Sequence, residues 1–329
     1  MATLRYGRRR DRGLLAGLSR LLDEIRNPTT SQGRVLVISL AALALILLAL
    51  LAASGLFLSR VLKPVRAAET TTTDTFFGTA ETLEFVGPGG RSHSAWFFPG
   101  LRGAPVIVLC HGYRSSRSEV MTLATSFQMH RYNVLVFNFA GHGESPADYT
   151  MLGPRESAEL LAALEMLRQR KDVDANRVGL WGYSLGAYAA LSAAPDYPGV
   201  KAMVVDSAYE RPADLLRLEL NRLGADLIPL ASQVAVLEFH LVSLFQASRP
   251  SPRQALGQLG GVQKLFIVSQ DAGPLGGYTR ELAEVAPPPK EVAQLARTNL
   301  PSLSEEERRA YENLVIRFFL KHLPVTPAR

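Results

Sequence analysis

Ser184 stands in Gly182-Tyr183-Ser184-Leu185-Gly186, a G-x-S-x-G pattern. A hydroxyl set this way can attack a carbonyl carbon. The glycines permit a sharp strand-to-helix turn that lifts the side chain clear of a sheet. The backbone N–H of Leu185, at the start of a helix, is placed to donate to an oxyanion. The bare pattern is weak, because short motifs recur by chance. Its setting is stronger: the apolar run Val178–Trp181 precedes it and AYAALSAA follows. A serine nucleophile also needs a base within hydrogen-bond reach, and the chain has six His from which to draw one.

The elements that must position Ser184 read as one alternating pattern. Thr82–Val86 and Ser94–Phe98 alternate around Gly87-Pro88-Gly89-Gly90, as in a hairpin. Short apolar runs follow at Val106–Cys110, Val134–Phe139, Val178–Tyr183, Ala202–Val205, Leu265–Val268 and Glu291–Leu295. Continuous runs of this length suit strands buried on both faces of a parallel sheet. Helical stretches fall between them at about 116–130, 155–170, 185–194, 276–286 and 304–322. Alternation of this kind predicts an α/β fold, an open, mostly parallel sheet with helices on both faces. Ligands in such sheets bind beyond the carboxyl ends of the strands. Residues 210–262 interrupt the alternation, and Ile228–Phe245 is mostly apolar. Glu238 and His240 interrupt that run, so a helical cap over the strand ends suits it better than a second membrane span.

With these pieces in place the sequence resembles the α/β-hydrolase family from about residue 82 onward. Val106-Ile107-Val108-Leu109-Cys110-His111-Gly112-Tyr113 matches the family's strand ending in His-Gly, and Gly141-His142-Gly143-Glu144-Ser145 matches its G-H-G-x-S loop. Gly153 and Glu156 ahead of a helix, and Asp206-Ser207-Ala208-Tyr209 after a strand, follow the family's order. The resemblance implies that the N–H of Tyr113 is the second oxyanion donor beside that of Leu185. It also implies that Asp271, following Leu265–Val268, is the acid that would orient a catalytic His. Asp206 is the second choice for that acid. Neither a metal nor an organic cofactor is implied.

One departure from the family stands out. Its catalytic His lies in the loop between the last strand and the last helix, which falls here at about Asn299 or Leu300, and residues 290–302 contain no His. His111 belongs to the oxyanion loop, His142 to the G-H-G turn and His240 to the cap. His93 lies in the hairpin, His130 ends a helix and His322 is near the end of the last helix. Asn299 cannot accept a proton near neutral pH. Two readings follow. One is a membrane-anchored serine hydrolase of esters, thioesters or amides with an unrecognised base. The other is a degenerate hydrolase fold that binds a ligand or a protein partner without turnover, an option to which Asn138-Phe139-Ala140 adds weak support.

The 329 residues suit one large domain or two small ones. A single Cys excludes a disulfide framework and a Cys-based zinc site within the chain. Net charge is +6, but residues 1–34 alone carry eight Arg against three acids. The part beyond Arg66 is close to neutral, with 25 basic and 27 acidic side chains, so no nucleic-acid partner is expected. No residue from Val35 to Ser59 is charged, enough to span a bilayer as a helix. A cleaved signal peptide, ending near Ala67 or Ala68, is the rival reading. The expected organisation is a basic cytoplasmic tail (1–34), a single transmembrane helix (35–59), a linker (60–80) and a hydrolase-like domain (81–329) outside the cytoplasm. The orientation margin is modest, since Arg60, Lys63 and Arg66 make the second flank basic too. Leu14, Leu15, Leu18, Leu21, Leu22 and Ile25 share one helical face, which suits either an interfacial helix on anionic lipid or a loosely ordered tail. The apolar cap favours a small hydrophobic or acyl substrate.

Overall fold

A computed structural model describes residues 26, 28–69, 80–244 and 249–325. The readings for Leu14–Ile25 and for the middle of the linker lie outside these residues. Eight strands form one sheet: β1 (Glu81–Val86), β2 (Ser92–Phe98), β3 (Pro105–Cys110), β4 (Asn133–Phe137), β5 (Asp174–Tyr183), β6 (Val200–Asp206), β7 (Gln263–Ser269) and β8 (Lys290–Leu295). Their order is β1-β2-β4-β3-β5-β6-β7-β8. The hairpin β1–β2 is antiparallel and joins β4 antiparallel, while β3 to β8 are mutually parallel. β3 and β4 are buried at every position, as their unbroken apolar sequences require of central strands.

Helices cover both faces. After α1, treated below, the sequence forms α2 (Met121–Met129), α3 (Pro154–Arg168), α4 (Leu185–Ala193), α5 (Pro212–Arg222), α6 (Ala231–Ser243), α7 (Pro252–Leu256), α8 (Pro274–Val285) and α9 (Glu305–His322). Leu160 and Leu164 of α3, Ala187 and Leu191 of α4 and Leu282 of α8 pack on one face with Val108, Leu180 and Phe266 of the sheet. Leu123 and Phe127 of α2 and Tyr311, Val315 and Phe319 of α9 pack on the other with Ile107, Trp181 and Val204. Each fully buried large apolar side chain contributes about 1.5–3 kcal/mol, so these two layers hold the sheet. Within the interruption at 210–262, α5 and α6 pack in an apolar cluster with Tyr188 and Tyr209, whereas Leu256 of α7 joins the first sheet layer.

α1 runs from Ser31 to Leu62, with the Thr30 hydroxyl accepting from the Gly33 N–H at 3.0 Å as its N-cap. It is long and apolar enough to cross a membrane. Its last turns enter the domain: Leu58, Val61 and Leu62 join a third apolar cluster with Leu152, Tyr188, Tyr209, Leu216 and Phe239. The Leu62 carbonyl accepts from the Thr150 N–H at 2.9 Å. The segment expected as linker is also pinned where it is described. Arg66 donates to the carbonyls of Gly143, Ser145 and Ala147 at 3.2, 2.8 and 3.0 Å. Glu69 pairs at 2.7 Å with Arg117, which is itself buried and stacked on Trp96. Glu144 pairs with the same guanidinium at 2.7 Å, so the buried Arg117 is met by two carboxylates, one of them brought by the chain running back over it.

Candidate active site

β5 ends at Tyr183, α4 starts at Leu185, and Ser184 makes the corner with φ 51° and ψ −109°. A non-glycine residue pays about 1–3 kcal/mol for such a conformation and keeps it only where its surroundings fix it. Here the Ser184 N–H donates to the Asp206 carbonyl at 2.9 Å, and its carbonyl accepts from the Tyr188 N–H at 3.0 Å. The corner is crowded on its inner side. A Cβ on Gly186 would sit 1.9 Å from the Cys110 carbonyl oxygen, and one on Gly182 would sit 2.5 Å from that of Gly186. Only glycine lets α4 start so close to the end of β3.

That closeness brings the His-Gly loop against the corner. A Cβ on Gly112 would lie 2.7 Å from the Tyr183 ring, so Gly112 sits against the residue just before Ser184. Leu185 opens α4, and its N–H has no partner within the helix. His111 fixes the loop from below: its Nε2 accepts from the Phe139 N–H at 3.0 Å, and its Nδ1 therefore donates to the Gly112 carbonyl at 2.8 Å. Burial pushes its pKa down to about 4, which keeps it neutral.

Asp271 lies just past β7 and is exposed. Its carboxylate reaches across to the loop after β8. Oδ1 accepts from the Thr298 N–H at 3.1 Å, and Oδ2 accepts from the N–H groups of Thr298 and Asn299 at 3.2 and 3.3 Å. The acid expected from the resemblance thus touches the stretch where the base was expected. Asp206, the second choice, is wholly buried. It accepts from the hydroxyls of Ser207, Thr298 and Tyr311 at 2.9, 3.2 and 2.9 Å, and Tyr311 accepts from the Trp181 indole N–H at 3.0 Å. Burial raises its pKa to about 7 despite these donors. Asp206 is committed to the interior, which leaves Asp271 as the acid free to face a base.

All six His are placed, and each is engaged away from that loop. His142 contacts the Ala140 carbonyl through Nδ1 at 2.8 Å and packs on His111 and Tyr113. His93 is buried beside Glu159, and His130 contacts the Ser126 carbonyl. His240 contacts the Val236 carbonyl on α6, and His322 meets Glu291 at 2.9 Å. Asn299 occupies the exposed corner instead. It lines a cavity of about 10 Å³ with Gly112, Glu119, Tyr183 and Leu300.

Two features of this site were not legible in the sequence. Glu119 follows Arg117 on the oxyanion-loop side and carries no motif, yet burial raises its pKa to about 7. Its carboxyl is hydrogen-bonded by the Ser115 hydroxyl. The Tyr113 hydroxyl donates to the Val61 carbonyl at 2.8 Å, which ties the oxyanion loop to the end of α1. The Ser115–Glu119 bond is local, but the burial of Glu119 and the reach of Tyr113 to Val61 need the tertiary arrangement.

Strand order, the corner at Ser184 and the His-Gly loop agree with the family profile described as alpha/beta hydrolase fold, which matches residues 105–227. The chain has the α/β-hydrolase fold. Solved α/β hydrolases superpose on most of it. An esterase from Pyrococcus furiosus is 19% identical with a TM-score of 0.60, covering 80% of this chain and 98% of its own. The α/β hydrolase GrgF from a Penicillium species is 17% identical with a TM-score of 0.56, covering 74% of this chain and 99% of its own. A dienelactone hydrolase from Anabaena variabilis is 17% identical with a TM-score of 0.52, with 74% and 99% covered. Among curated sequences, an uncharacterized Mycobacterium tuberculosis protein is 31% identical over 153 residues, 44% of this chain and 53% of that protein. The uncharacterized Escherichia coli protein YfhR is 27% identical over 137 residues, 40% and 48% respectively. The chain spans about half the length of the curated relatives it matches.

Proposed function

We propose that this α/β-hydrolase-fold chain is a membrane-anchored serine hydrolase of low intrinsic rate, acting on an ester, thioester or amide with an apolar acyl part. The observation that carries the reading is the strained corner at Ser184, with the start of α4 after it and Gly112 against the residue just before it. In this scheme Ser184 Oγ attacks the acyl carbon and the N–H groups of Leu185 and Tyr113 take the oxyanion. The alcohol, thiol or amine leaves, and water then cleaves the acyl-serine ester. The hydroxyl proton passes to water, because no imidazole faces Asp271. Triad enzymes stripped of a member still run roughly 10³–10⁴ above water through the oxyanion hole and binding, and a rate of that order is expected here. α1 holds the domain at the bilayer, with the N-terminal side cytoplasmic by its excess of Arg.

The engagement of all six His elsewhere favours a second reading, a binding protein that keeps the fold without turnover. A fluorophosphonate probe separates the two. The full chain is treated in detergent beside Ser184→Ala, because Leu58 to Leu62 belong to the packed domain and should not be cut away. Labelling of the parent that is lost in the variant supports the hydrolase. A parent that stays unlabelled at high probe concentration and long exposure supports the binder.

A further inference from the structure

Helix α6 has the sequence ASQVAVLEFHLVS. Its exposed polar residues Gln233 and His240 lie on one flank, and an apolar surface left open beside them calls for an apolar neighbour. One side is interior: Ala235, Val236 and Phe239 pack into the cluster with Tyr188, whose N–H holds the Ser184 carbonyl. The opposite side is open. Leu230, just before the helix, Leu237, Leu241 and Leu244 recur at helical spacing on one stripe and are 61%, 60%, 55% and 73% exposed. Leu227, just ahead of them, is 84% exposed.

What lies beside this stripe is α1. Glu238, on the flank of α6 next to the stripe, accepts from the Ser54 hydroxyl at 2.9 Å, and its second oxygen lies over Gly55. The part of α1 before this junction, Val35 to Ala53, is exposed almost throughout. At 1.5 Å per residue it covers about 28 Å, close to the ~30 Å of a hydrocarbon core. The junction with α6 therefore falls where α1 leaves the core. Just beyond it, Arg60, Lys63 and Arg114 line a recess of about 200 Å³ with Tyr113 and Glu219, at the depth of lipid headgroups.

We propose that α6 and the Leu227–Leu230 turn lie in the face of the same bilayer that α1 crosses, so that the Ser184 site is separated from lipid by the thickness of one helix. This rests on the reading of α1 as a membrane anchor and deepens it. The occupant of the exposed leucine stripe is the acyl region of the bilayer.

The full chain, reconstituted in phosphatidylcholine vesicles containing anionic phosphatidylglycerol, is labelled with an environment-sensitive fluorophore at single introduced cysteines. The native Cys110 is buried and its thiol is pushed well up in pKa, so it stays unreactive. The sites are Leu237→Cys and Leu241→Cys on the stripe, Leu47→Cys in the span, and Met129→Cys near the amino end of β4, where α2 turns back into the sheet, at the opposite end of the strands from Ser184. The proposal expects the Leu237 and Leu241 probes to be quenched by lipid-attached nitroxide and shielded several-fold from aqueous iodide relative to Met129. Stripe probes that behave like Met129, while Leu47 reads as lipid, overturn the proposal and leave the anchor standing. A Leu47 probe quenched by iodide like Met129 overturns both.

Discussion

Asn299→His should raise the reaction rate by supplying the missing base. On the proposed function Asp271 is the orienting acid, and it accepts from the N–H groups of Thr298 and Asn299 at 3.1–3.3 Å. A side chain at 299 thus departs from backbone that touches the carboxylate. It also lines the same small cavity as Gly112 and Tyr183, the neighbours of Ser184. A positioned general base is worth about 10²–10⁴ in rate, or about 3–5 kcal/mol of barrier. The position is exposed, so the change should leave stability within about 0.5 kcal/mol. Hydrolysis of a p-nitrophenyl acyl ester by the full chain in detergent gives the rate, with Ser184→Ala/Asn299→His as the control. The gain should appear as pH rises through about 6.5, where a His ordinarily loses its proton. A variant that melts like the parent, gains less than about tenfold and shows no new pH dependence would refute the reasoning. So would a gain that survives in the double variant.

Other substitutions test the frame around the site. Gly186→Ala places a methyl 1.9 Å from the Cys110 carbonyl oxygen, so it should cost about 3 kcal/mol or more by denaturant titration and abolish probe labelling. Tyr311→Phe leaves the Trp181 N–H without its acceptor and removes one of the three hydroxyl donors to Asp206; a loss of about 2–3 kcal/mol in chemical denaturation is expected. Asp206 has a folded pKa near 7 against about 3.9 unfolded, so between those values the folded state binds more protons and its stability falls as pH rises. Asp206→Asn lacks this penalty, and its stability relative to the parent should improve by up to about 4 kcal/mol from pH 4 to pH 7; a constant difference across that range would show that Asp206 does not titrate as described.

The sheet was legible because central parallel strands must be apolar on both faces. Val106–Cys110 and Val134–Phe137 announce themselves and fall within β3 and β4. The corner at Ser184 was legible because crowding at Gly182 and Gly186 leaves a mark in residue type. The hairpin and the final helix followed from turn residues and periodicity. What escaped notice depends on contacts distant in sequence. Residues 60–69 look polar enough for a free linker, yet Arg66 and Glu69 spend their charges on the Gly143–Ala147 carbonyls and on Arg117. Glu119 reads as a surface acid, and only the packing around it raises its pKa. Asp271 was placed by order in the chain, but its engagement by two backbone N–H groups of the β8 loop needed the fold.

A strained serine does not by itself establish catalysis. The φ of 51° at Ser184 is held by two backbone hydrogen bonds and by the contact of Gly186 with Cys110, which are interactions of the scaffold. A chain that had lost its activity would keep them for stability. The informative group is Asp271. It is exposed and receives backbone donors, one of them from Thr298, whose hydroxyl belongs to the buried Asp206 cluster; the return of such bonds at a solvated carboxylate is small. Folding therefore does little to hold a carboxylate there. Asp206 is the opposite case, with three hydroxyl donors in the interior, and structure alone accounts for it. Under the proposed function, Asp271 is the carboxylate that would orient a base at the Asn299 position. This is why the rate of Asn299→His, more than the shape of the corner, separates a slow hydrolase from an inert fold.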